Sequence, residues 1–106
     1  MKIYLSGPMT GLPDFNFPAF NQAAAEFRAK GFEVINPAEI SREVEAKNPS
    51  PDYQDYLKAA LKAMLDDNCR TIAFLPGWHR SKGAMLEKKL AESLGYECIF
   101  VIVAVD

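Results

Sequence analysis

Histidine is nearly missing from this chain. There is one, together with two cysteines, Cys69 and Cys98, that do not form a CxxC pair. A structural zinc site draws four such ligands from short spacings, so no metal is expected. A basic surplus is missing too: Lys and Arg number 12 against 14 Asp and Glu, for a formal net charge of −2. Nothing therefore points to polymeric nucleic acid as a partner, and no run of one sign suggests a charged tail. No stretch approaches the roughly 20 apolar residues that cross a bilayer. The apolar start of the chain is also too short for a secretory signal before Gly7-Pro8 ends it. A protein of the reducing cytoplasm with no membrane partner is expected, with Cys98 read as a buried thiol in an apolar run. The GxGxxG fingerprint is absent, and Lys82-Gly83 stands in the wrong order for a P-loop, so no cofactor is expected.

What remains is an ordinary globular composition, 49% apolar and 25% charged over 106 residues. That is enough for one core and predicts a single domain over 1–106. Residues 2–6 form a β-prone run closed by Gly7-Pro8. Asn16 is placed to cap a helix with Pro18 in its first turn, whose face is Phe20, Ala23, Ala24 and Phe27. Gly31 stops it, and Phe32–Ile35 reads as a second strand. Residues 38–51 are polar and contain proline, which predicts a loop with one helical turn at most. Ser50-Pro51-Asp52 opens a helix with the stripe Tyr53, Tyr56, Leu57, Ala60, Leu61, Met64 and Leu65. Thr71–Leu75 and Cys98–Val103 read as strands, with a helix over 82–94 between them, capped by Ser81 and stopped by Gly95.

The order β-α-β-α-β-α-β predicts an α/β fold, a small Rossmann-like (flavodoxin-like) three-layer arrangement around a parallel sheet of about four strands. Helices on both faces would explain why the third and fourth strands read as continuous apolar runs. If the strand order is 2-1-3-4, it reverses between the first and third strands. Ligands bind such sheets beyond the carboxyl ends at that reversal, here between the loops Gly7–Pro13 and Pro76–Lys82.

Glu87 is the residue that most needs a reason. The third main helix has Gly83, Leu86, Leu90, Ala91 and Leu94 as its inward stripe, which sets Glu87 on the border of the apolar face. A carboxylate there is partly desolvated, so it has either a hydrogen-bonded partner or a task; alternatively it snorkels to water or pairs with Lys82 or Lys88. Just before it, Ser81-x-Gly83 joins a strand end to a helix start, where backbone amides favour an anion. Ser81 serves that purpose or is an ordinary cap. Tyr4 sits between Ile3 and Leu5 and is a core ring or a hydroxyl reaching the crevice. Trp78 stacks on a base or sugar or plugs the crevice wall. His79 reads as a surface side chain rather than a general base.

Taken together, Tyr4-Leu-Ser-Gly7-Pro-Met-Thr-Gly11, Phe15-Asn16-x-Pro18-x-Phe20, Asn36-Pro37 and Leu75-Pro-Gly-Trp78-x-x-Ser81-x-Gly83-Ala84-x-x-Glu87 resemble a family of small phage and bacterial proteins. That family is similar to the nucleoside 2-deoxyribosyltransferases and the deoxynucleoside 5′-monophosphate N-glycosidases. The resemblance implies a nucleoside 2-deoxyribosyltransferase-like domain with Glu87 as nucleophile at the anomeric carbon and Tyr4 orienting it. Gly7, Met9, Thr10, Gly11, Ser81 and Gly83 would line the sugar and phosphate site, and Asn36 and Trp78 complete the substrate-binding set. Those enzymes also carry an Asp on the preceding helix that assists the leaving base. The matching position here is Ala60 or Lys62, and Arg70 stands where an acidic residue is usual. The expected ligand is a small nucleoside or nucleotide, and the expected assembly a homodimer or higher homo-oligomer. Two rivals are a non-catalytic nucleotide binder and a scaffold that keeps the fold for protein contacts alone.

Overall fold

The computed structural model describes residues 1–66 and 68–102. Among these residues, four parallel strands lie in the order β2-β1-β3-β4. They are β1 (Lys2–Ser6), β2 (Glu33–Ile35), β3 (Cys69–Phe74) and β4 (Glu97–Phe100). Four helices connect them: α1 (Phe17–Ala29), α2 (Pro37–Lys47), α3 (Tyr53–Met64) and α4 (Lys82–Ser93). The reversal of strand order falls between β1 and β3.

The sheet is covered on both sides, which makes a small three-layer α/β fold of the Rossmann-like kind. Because side chains alternate along a strand, Ile3, Leu5, Ala73 and Leu75 face one way and pack against Phe20, Ala23 and Ala24 of α1. Tyr4, Ile72 and Phe74 face the other way, against Met64 of α3 and Ala91 of α4. α2 serves both sides, sending Ala38 to the first cluster and Ile40 to the second. Lys2 pairs with Cys69 but Ile3 with Thr71, so Arg70 is left opposite nothing and points to solvent.

Several elements depart from the sequence pattern. Residues 38–51 hold a full helix rather than a loop. Asn36 caps α2 by accepting from the Ala38 N–H at 3.0 Å, and Pro37 occupies its first turn. The helix is inconspicuous in sequence because Ile40 and Val44 are its sole large apolar residues after Pro37, while Arg42, Glu43, Glu45 and Lys47 face water. Asn16 does not cap α1. It and its two predecessors, Asp14 and Phe15, adopt left-handed backbone at φ 61°, 51° and 52°, and its side chain donates to the Pro8 carbonyl at 3.0 Å. That contact ties the strained turn to the start of the Gly7–Leu12 loop.

The inward face of α4 is Ala84, Glu87 and Ala91, whereas Leu86 and Leu94 are exposed. Glu87 is therefore at the centre of the buried face, not on its border. Tyr53 and Leu65, expected in the buried stripe of the preceding helix, are also exposed. β4 is an edge strand with Phe100 half out, so its apolar run does not mark burial on both faces. It ends at Phe100, and Val103 of the expected strand lies outside the described residues. Of the two cysteines, Cys69 is the buried one and Cys98 is half-buried.

Candidate functional site

β1 supplies two hydroxyls to one face. Tyr4 and Ser6 are two residues apart on a strand, so both point toward α4. The strand is hydrogen-bonded to β2 on one side and β3 on the other, which fixes its backbone. Gly7 follows, and the absence of a side chain is required there: a Cβ would come within 2.9 Å of the Leu75 Cβ. The chain thus turns away from the sheet directly over β3, and the Leu75 N–H continues the ladder to the Ser6 carbonyl at 2.8 Å.

α4 brings the carboxylate. Ser81 caps the helix by accepting from the Ala84 N–H at 3.1 Å, so its ordinary cap role is filled. Glu87 follows less than two turns later with 7% of its surface exposed. Tyr4 Oη donates to its Oε2 at 2.5 Å, and Ser6 Oγ to its Oε1 at 2.6 Å. Neither Lys82 nor Lys88 pairs with it. Lys88 instead bridges to Glu92 at 2.9 Å and lies 5.7 Å from the centre of the Trp78 ring.

These contacts set the electrostatics. Burial pushes the Glu87 carboxyl above its ordinary range, and the bonds from Ser6 and then Tyr4 pull part of the way back. Burial and then the neighbouring Glu87 charge push the Tyr4 phenol well above its ordinary value, so it stays a donor.

Glu87, Tyr4 and Ser6 line a cavity of about 500 Å³ at the β1–β3 reversal. Gly7, Met9 and Thr10 form one wall, and Arg80, Ser81, Lys82 and Gly83 the wall at the start of α4. Tyr53, Tyr56, Leu57 and Ala60 of α3 and Ile40 and Ser41 of α2 close the remaining sides. Tyr53 is 55% exposed, and its hydroxyl lies 3.7 Å from where a Cβ on Gly83 would stand. The mouth therefore opens between α3 and the turn before α4. Tyr56 donates at 2.9 Å to Glu45 of α2, outside the lining.

Of the residues singled out from sequence, Glu87, Tyr4, Gly7, Met9, Thr10, Ser81 and Gly83 meet at this cavity. Gly11, Asn36 and Trp78 stand elsewhere. Gly11 is exposed in the loop at φ 83°. Asn36 is buried, capping α2 and donating to Asn21 Oδ1 at 2.9 Å. Trp78 packs on Phe74 and Phe100, with ring centres 5.4 Å away in each case. His79 is exposed beside it. Of the two positions matched to the missing acid, Ala60 reaches the cavity and Lys62 does not.

Ser6, Tyr53, Tyr56, Arg80 and Lys82 also line the cavity, outside the catalytic and substrate-binding set expected from sequence. Ser6 had a signal, the two-residue period it shares with Tyr4. Arg80 and Lys82 had none beyond flanking Ser81. Among the described residues no cluster of His, Cys, Asp and Glu is placed to hold a metal ion, and no helix is long and apolar enough to cross a membrane.

The chain belongs to the family described as DUF4406, a domain of unknown function, whose model matches residues 1–100. No curated protein matches the chain.

Proposed function

We propose that this protein cleaves or transfers the N-glycosidic bond of a small (deoxy)nucleoside or its 5′-monophosphate, with Glu87 as nucleophile. The observation that carries the reading is a buried carboxylate in a cavity wall, gripped by two hydroxyls and, among the described residues, paired with no cation. Keeping such a group charged is costly, which marks it as a functional-site candidate. A glycosidic bond that breaks with oxocarbenium character is stabilised or trapped by an adjacent carboxylate. One Glu87 oxygen forms the bond to the anomeric carbon as the carbon–nitrogen bond breaks. The bonding pair leaves with the base, which takes a proton from water. A second water then releases the sugar, or an incoming base takes it in transfer. Tyr4 orients the carboxylate. Arg80 and Lys82 at the rim, with the α4 amides, favour an anionic group on the substrate.

One observation favours a second reading, a non-catalytic binder of small nucleotides: among the described residues lining the cavity, Glu87 is the sole carboxylate. A panel of deoxynucleosides and their 5′-monophosphates, assayed for free base, separates the two. Release by the native protein and none by Glu87→Ala is the result expected. No release, or equal release by the variant, overturns catalysis, and calorimetric binding without turnover then supports the second reading.

We also infer a homodimer or higher oligomer, because Leu86 on α4, Leu94 just beyond its end and Phe100 on the β4 edge are exposed. Sedimentation giving a concentration-independent monomer overturns it. Free thiols at Cys69 and Cys98 support a reducing, cytoplasmic setting.

A further inference from the structure

We propose that Ser6 is a positioning residue of this site, the second of two fixed donors that hold the Glu87 carboxylate in its reacting orientation. The inference rests on the reading of Glu87 as the reacting group, but its main test does not require turnover.

The torsion that carries a glutamate carboxylate is soft and roughly two-fold. A single hydrogen bond from Tyr4 leaves the carboxylate plane free to swing about that contact. One donor on each oxygen fixes the plane, and both donors stand on the same rigid strand, with Ser6 itself fully buried. A hydroxyl carries one proton, so both can donate to Glu87 only while it is ionised; a protonated carboxyl must itself donate through one of those oxygens.

Among the described residues no cation pairs with this charge. From α4, Lys88 is committed to Glu92. The turn before α4 brings Arg80 and Lys82 to the cavity rim, both exposed, and neither forms an ion pair with Glu87. From α3, Tyr53 and Tyr56 face the cavity, with Glu45 of α2 behind Tyr56, and the α2 residues in the lining carry no charge. Burial opposes ionisation, and Ser6 is the largest influence favouring it.

The test is a carbon-13 NMR titration of glutamate-labelled protein, with the Glu87 signal assigned by its loss in Glu87→Gln. Ser6→Ala is expected to titrate Glu87 at higher pH than the native protein, and Ser6→Thr, which keeps the hydroxyl, to restore the native value. Should Ser6→Ala not fold, Ser6→Cys, a weaker donor, replaces it and is expected to shift the titration the same way. With a substrate in hand, Ser6→Ala should lower kcat by about tenfold to a hundredfold, the scale of one hydrogen bond to a charged group. KM should change less, and the acidic limb of the pH profile should move with the NMR titration. Native titration in Ser6→Ala or Ser6→Cys, or failure of Ser6→Thr to restore it, overturns the role. A shifted titration with no base release by the native protein removes the glycosidic reading and leaves the Ser6–Glu87 coupling standing.

Discussion

The Tyr4 hydroxyl stands 2.5 Å from Glu87 Oε2, although 83 positions separate the two residues in the chain. The strand carrying Tyr4 is interior to the sheet and the helix carrying Glu87 lies across its face, so the pair is enclosed by β1, β3 and α4. Burial, and then the carboxylate charge, hold the phenol in its neutral form well above the ordinary value of 10.0. In an alkaline absorbance titration Tyr4 should therefore not contribute to the early, reversible rise. Tyr4→Phe should leave the early, reversible rise unchanged and remove amplitude from the part that accompanies unfolding. Loss of early amplitude in that variant would contradict the enclosure.

Stability should fall with rising pH on account of Glu87. Its folded value is raised above the ordinary 4.5, chiefly by burial. Between 4.5 and that raised value the folded protein holds more proton than the unfolded chain, so unfolding free energy declines as pH rises through the window. Glu87→Gln removes the dependence and keeps an oxygen to accept one of the two hydroxyls. At neutral pH the variant should be the more stable protein, because burial penalises the charged carboxylate and not the neutral amide. Below the ordinary carboxylate value the advantage should vanish. Denaturant titrations at several pH values read both effects, and a difference independent of pH would contradict them.

Gly7 and Gly83 should respond differently to the same change. A methyl at Gly7 meets the Leu75 Cβ at 2.9 Å, an atom fixed by the end of β3. Gly7→Ala should cost about 1–3 kcal/mol, the usual range for overpacking, seen as a lowered denaturation midpoint. A methyl at Gly83 meets the Tyr53 hydroxyl at 3.7 Å, an ordinary contact. Gly83→Ala should fold normally and narrow the cavity mouth, raising KM for any ligand that passes it while leaving the melting temperature near native.

Asn36 should matter through α2 rather than through substrate. Its oxygen caps the helix and its amide donates to Asn21. Asn36→Ala should lower stability by about 1–2 kcal/mol, combining a lost cap with a lost side-chain hydrogen bond, and reduce helical circular dichroism. Asn36→Asp keeps the cap acceptor but loses the donor, so it should fall between the alanine variant and the native protein. Equal stability of all three would contradict the capping role.

Much of this arrangement is legible in the residues. The alternation of Ile3, Tyr4, Leu5 and Ser6, the apolar run through Thr71–Leu75 and the stops at Gly31 and Gly95 announce the elements, and their order announces a parallel sheet. The placement of Glu87 near Tyr4 follows once the strand order is 2-1-3-4. α2 is hidden because a helix covered over one turn and wet over two has no apolar stripe to display. The face of α4 is misread because leucine at 86 and 94 outweighs alanine at 84, whereas close packing of a helix on a sheet selects small residues such as Ala84 and Ala91. Asn16 looks like a cap, yet its turn is left-handed and its amide is committed to Pro8. The exposed rim of the cavity is the least legible part, since Arg80, Lys82 and Tyr53 acquire a shared location only after the sheet has brought their elements together.

The position of β1 has a consequence for the assembly of the protein. During synthesis the two hydroxyl donors emerge first, while their acceptor follows 81 and 83 residues later. Before α4 docks, Tyr4 and Ser6 have no Glu87 to meet, and Glu87 is an ordinary wet glutamate. Contacts of such long separation form late because the intervening chain must be closed first. The altered ionisation of Glu87 is thus a property of the assembled fold, and its appearance during refolding would mark the moment at which α4 settles on β1.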